Sequence, residues 1–172
     1  MPKPPDYVAA SESYITLDVK INHLRHGDDK LKTLLALRGA GNRGKTKTLK
    51  ILIAMIKAKY PQTVIVEEIS YKCDVTIVIT IDCKKVGIET QGDPNSRLKA
   101  SLKKFVEINC KAIICACRSR GETVEIVNSV SAHGYNVQFI EKLGSAKESQ
   151  QTAENQAVAK KLFTAFQAAI DA

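Results

Sequence analysis

The chain has 172 residues, 44% of them hydrophobic and 26% charged, with a net charge of +8 at pH 7. That length suits one well-buried domain rather than two, and no apolar run is long enough to cross a bilayer. The opening Met1-Pro2-Lys3-Pro4-Pro5-Asp6 lacks the apolar core of a signal peptide, so a cytoplasmic protein is expected.

Residues 1–13 are polar and proline-bearing and are expected to form a flexible tail, leaving 14–172 as a single domain. Ile15, Leu17, Val19 and Ile21 alternate with polar residues, the period of a half-buried strand. His23 and His26 follow in a polar connection and read as a solvated pair, because no third metal ligand stands near them.

The run 33–38 (Thr-Leu-Leu-Ala-Leu-Arg) suits a buried parallel strand. From Lys45 to Tyr60, Leu49, Leu52, Ile53 and Ile56 recur at helical spacing, and Pro61 ends the pattern. Three strand-like runs follow at 63–69, 75–81 and 86–89. Their connections are too short for crossover helices, so neighbouring runs are expected to pair antiparallel. A helix is expected from 95 or 96 to 109, a buried strand over 112–117, and a helix over 121–133 with Gly134 just past its end. A last strand over 135–140 and an alanine-rich helix over 148–172 complete the chain.

Between the first buried strand and its helix lies Gly39-Ala40-Gly41-Asn42-Arg43-Gly44-Lys45-Thr46, which fills every fixed position of G-x-x-x-x-G-K-[ST]. Closely spaced glycines let successive backbone N–H groups turn inward to cradle phosphates, at the end of a helix whose dipole favours anions. Flanks of strand and helix set this loop apart from a glycine-rich turn that matches by chance. The loop resembles the Walker A motif of the P-loop NTPases. The resemblance implies an α/β three-layer sandwich with a mainly parallel central sheet, here with an antiparallel edge hairpin. It also implies that ATP or another purine nucleoside triphosphate is held with Mg²⁺ by Gly39, Gly41, Asn42, Arg43, Gly44, Lys45, Thr46 and Lys47. In that role Lys45 neutralises the outer phosphates and Thr46 ligates the metal.

Ligands in such sheets bind beyond the carboxyl ends of the strands, so further site residues are sought just after each apolar run. Glu89 ends one run and Asp93 follows in a turn; either could serve Mg²⁺, and Asp93 could instead cap the next helix. After the 112–117 run come Arg118 and Arg120, candidates to stabilise charge during phosphoryl transfer or else solvated loop arginines. Arg43 and Arg97 could add to the same positive pocket. The chain has no N-K-x-D motif and no L-S-G-G-Q motif, which argues against guanine-specific switches and transporter-type ATPases. The loop, with Gln91-Gly92-Asp93-Pro94, is similar to that of ParA/MinD-like ATPases, but Ala40 stands where their second loop lysine would be.

The functional expectation is a small NTPase or regulatory ATP-binding protein. Two alternatives stand beside it: a small-molecule or nucleotide kinase with a small acceptor, and a basic module that binds nucleic acid or a protein assembly and uses nucleotide structurally. Positive charge favours nucleic acid, but the lysines are scattered, tryptophan is absent and aromatics total 5%. The five cysteines include no C-x-x-C pair, and Cys115 and Cys117 read as small buried hydrophobes. No membrane partner is expected.

Overall fold

The computed structural model describes residues 31–172. The expected tail at 1–13, the strand at 15–21 and the His23/His26 pair lie outside the described residues.

The described chain is α/β, built on a six-stranded mixed sheet. In chain order the elements are β1 (Lys32–Arg38), α1 (Lys45–Lys59), β2 (Val64–Tyr71), β3 (Asp74–Ile81), β4 (Lys84–Glu89), α2 (Leu98–Glu107), β5 (Ala112–Cys117), α3 (Glu122–Ser129), β6 (Tyr135–Glu141) and α4 (Glu148–Asp171). The sheet order is β2-β3-β4-β5-β1-β6. β1 pairs parallel with β5 and β6, and β4 pairs parallel with β5. β3 runs antiparallel to both β2 and β4, as the short connections require. At the β3–β4 turn, Asp82 and Cys83 both take left-handed φ (47° and 65°), the conformation that matches a tight hairpin to the twist of its strands.

Strand alternation divides the core into two layers. On one face Leu35, Leu37, Ile77, Ile79 and Ile114 pack against Leu49, Leu52 and Ile56 of α1 and Leu162, Phe166 and Ile170 of α4. On the other, Leu34, Ala36, Ile113, Cys115 and Cys117 pack against Leu98, Leu102 and Phe105 of α2 and Val127 of α3. Gly87 of β4 leaves room for the Phe105 ring, which a Cβ would strike. All six residues of β5, the strand between β4 and β1, are buried. The third helix is shorter than expected, because its last turn, Val130–His133, tightens into a 3₁₀ helix before Gly134 at φ 82°.

The two sides of the sheet end differently. β2 is an edge strand whose Val64, Ile65 and Val66 are all exposed, whereas β6 keeps Tyr135 and Ile140 buried. The cysteines divide in the same way: Cys110, Cys115 and Cys117 are buried, Cys73 and Cys83 exposed, and all five are free thiols. Burial pushes the Cys110 thiol up to about 12 and that of Cys117 to about 11.

Candidate functional site

The carboxyl ends of β1, β4 and β5 meet the loop between β1 and α1, and a cleft of about 590 Å³ opens there. Gly39 continues β1 by donating its N–H to Cys117 O at 3.2 Å. A side chain at this position would come within 2.5 Å of Lys142 O, which is why the chain needs glycine here. Asn42 (φ 55°) and Gly44 (φ 78°) then curl the loop through the left-handed region. It closes around one side chain. The Lys45 ammonium, on a residue only 8% exposed, donates to Gly39 O at 2.8 Å and Ala40 O at 2.5 Å. Burial lowers the Lys45 pKa most, and the nearby Arg118 cation lowers it further, against the opposing pull of Asp93. Among the described residues, no acceptor takes the backbone N–H groups of residues 41–47. They leave a run of free backbone donors at a helix start, where the helix dipole favours negative charge.

The loop is braced from α4, which sequence reasoning does not reveal. Gln151 Nε2 donates to Asn42 O and Ser145 O, each at 3.0 Å. Thr48 Oγ1 shares its proton between Gly44 O (2.8 Å) and Asn155 Oδ1 (3.1 Å). A Cβ on Gly44 would lie 2.5 Å from Asn155 Oδ1, so the loop and α4 are in direct contact. Arg43 Nη1 donates to Gly144 O at 3.1 Å, and Lys47 pairs with Glu148 at 2.8 Å. Behind the loop, the wholly buried Lys142 ammonium stands 3.6 Å from Glu154 and makes no hydrogen bond among the described residues.

Thr46 faces an acid that the sequence search passed over. Its Oγ1 donates to Asp74 Oδ1 at 3.0 Å, and Thr90 Oγ1 donates to the same oxygen at 3.0 Å. Asp74 opens β3, ahead of its apolar run rather than after it. Because β3 is antiparallel to β4, its first residue lies at the carboxyl end of the parallel strands. A search at every antiparallel strand's start would have found it.

The sequence-derived candidates separate. Asn42, Arg43, Gly44, Lys45, Thr46, Lys47 and Asp93 line the cleft. Gly39 sits behind it, and Gly41 lies under the Arg118 guanidinium, which a Cβ would strike. Arg118 Nη2 pairs with Asp93 Oδ1 at 2.8 Å, bringing those two together at the loop. Arg120 is exposed and does not line the cleft. Glu89 does not reach it either. Fully buried and facing α2, it accepts from Thr76 Oγ1 and Ser101 Oγ (both 2.6 Å), Gln91 N (2.9 Å) and Arg97 Nη2 (3.4 Å). Arg97 stacks on the Tyr71 ring at 3.2 Å and holds Glu89 rather than facing the cleft.

Cationic side chains dominate the cleft, with Arg43, Lys45, Lys47, Lys50 and Lys72 set against Asp74, Asp93 and Glu148. Among the described residues no group of three or more His, Cys, Asp or Glu side chains could hold a metal ion by itself. No described helix is long and apolar enough to cross a membrane. No family model, curated protein or solved structure matches the chain.

Proposed function

We propose that the described domain binds a purine nucleoside triphosphate, ATP before others, together with Mg²⁺. In this reading it acts as a small NTPase or regulatory ATP-binding protein of the P-loop kind. One observation carries the reading: the loop curled around Lys45 holds seven consecutive N–H groups, residues 41–47, that find no acceptor among the described residues, at the mouth of a cationic cleft.

The residues divide the work as follows. The N–H groups of 41–47 take the phosphate oxygens. The Lys45 ammonium, which now rests on two carbonyls at a desolvation cost, moves onto the outer phosphates, where an anion stabilises its charge. Arg118 sits over Gly41 and exchanges Asp93 for the terminal phosphate as charge develops there. Thr46 and Asp74 are hard oxygen donors bonded to each other at the cleft, with Asp93 also lining it, and this donor set suits Mg²⁺. The ion, when bound, neutralises phosphate charge.

Calorimetric titration with ATP and GTP, with and without Mg²⁺, tests the reading against Lys45→Ala. The expected result is Mg²⁺-dependent binding that falls by about 100-fold or more in the variant, equivalent to about 2.7 kcal/mol or more. Absence of nucleotide binding by the wild-type protein overturns the reading.

A further inference from the structure

Lys142 occupies a place that calls for an apolar residue. β6 ends at Glu141, and by alternation the next residue takes the face of Ile140, the side packed against α1 and α4. The main chain fixes it there: Lys142 N donates to Arg38 O at 2.7 Å, and Lys142 O lies against Gly39. Its ammonium is buried without a hydrogen bond among the described residues. Such burial is costly, and an apolar side chain of similar length would avoid the cost.

The pairing with Glu154 is lopsided. Glu154 is 37% exposed and also accepts from Ser145 N at 3.0 Å, whereas the ammonium is dry. Water screens the carboxylate and leaves the ammonium's field to run through the protein. That field reaches the loop, where the Lys142 charge is among those that lower the Lys45 pKa. The contact is close as well. A Cβ on Gly144 would strike the Glu154 carboxylate and lie 2.6 Å from Lys142 Nζ, and Gly144 O accepts from Arg43 of the loop at 3.1 Å.

We infer that Lys142 is a positioning residue of the anion site: fixed behind the loop and touching no ligand, its buried charge strengthens the hold of Lys45 and the 41–47 N–H groups on a polyphosphate. Two like charges raise each other's energy in the free protein, and an anion at the loop relieves both. The inference rests on the loop being an anion site, as the nucleotide reading does, but not on the anion being a nucleotide.

Calorimetry with tripolyphosphate, and separately with ATP and Mg²⁺, compares the full wild-type chain with Lys142→Met, which keeps the length of the side chain and removes its charge. Tripolyphosphate binding is expected to weaken about fivefold in the variant. Its thermal unfolding midpoint should equal or exceed that of wild type, because a buried charge has gone. The Lys45 titration, followed by NMR of the side-chain carbons, should move to higher pH. A merely structural role would weaken fold and binding together and leave that titration in place. Three results overturn the inference: no tripolyphosphate binding by the wild type, unchanged affinity in the variant, or lost affinity accompanied by a lowered midpoint or an unfolded chain. The expected loss for tripolyphosphate in a wild type that does not bind ATP supports this inference and removes the nucleotide reading alone.

Discussion

Two acids at the carboxyl end of one sheet, Glu89 and Asp74, have opposite surroundings. Glu89 closes β4 with its side chain under α2, where it is fully buried and accepts bonds from two hydroxyls, a backbone N–H and an arginine. Asp74 opens β3 in the cleft, where two threonines hold one of its oxygens. Position along a strand brings an acid to the right end of a sheet. The face it points to decides whether it organises the core or opens onto the cleft.

Substitution should separate the two. Glu89→Ala leaves Arg97, Thr76 and Ser101 without their common acceptor, and unfolding by denaturant should show a loss of about 3 kcal/mol. Asp74→Asn keeps an acceptor for Thr46 and Thr90, so stability should change by less than about 1 kcal/mol. Its effect should appear instead in calorimetry, as a loss of about tenfold in ATP affinity seen only when Mg²⁺ is present. A large stability loss in Asp74→Asn, or a Mg²⁺-specific binding defect in Glu89→Ala, would erase the distinction.

The exposed thiols extend the comparison. Cys73 lines the cleft and Cys83 does not. Iodoacetamide should label both in the free protein, and ATP with Mg²⁺ should slow labelling at Cys73 several-fold while Cys83 reacts unchanged, as read by peptide mass spectrometry. Equal rates at Cys73 with and without nucleotide would remove it from the binding region.

The smallest effect is a pH dependence. Burial lowers the Lys45 pKa below its unfolded value of 10.5, so between the two values the unfolded chain binds more protons than the folded one. The penalty for keeping this ammonium buried is therefore present at neutral pH and is relieved as pH rises towards 10.5. The buried thiols titrate oppositely, because their raised pKa values make folding less favourable in alkali. The stability of wild type minus that of Lys45→Met isolates the lysine. That difference should grow in favour of wild type with rising pH, and a flat difference would contradict the depressed pKa.

Much of the fold was legible in the sequence. Leu49, Leu52, Ile53 and Ile56 gave α1 its buried stripe, and the short links at 72–73 and 82–83 dictated the antiparallel hairpins. The loop at 39–46 was legible for a different reason, since its glycines answer to local geometry: Gly44 takes φ 78°, and Gly39 has no room for a side chain. Local demands leave a local record. Asp74 escaped the rule that places site residues after an apolar run, since it precedes one, and the face that Glu89 takes emerges only when the sheet is assembled. Gln151 and Asn155 were silent for the same reason. Each is an ordinary helix residue until the tertiary fold brings it more than a hundred positions back to the loop.

That long reach sets an order in time. A chain emerges from the ribosome with its N-terminal elements first, so the glycine loop leaves the tunnel well before the helix that braces it. Until α4 follows, Leu162, Phe166 and Ile170 are missing from one face of the core, Asn42 O lacks its Gln151 donor, and Thr48 keeps only Gly44 O. Nascent chains stalled before residue 148 should therefore hold the loop loosely, and the cleft becomes a product of the last-made of the described elements.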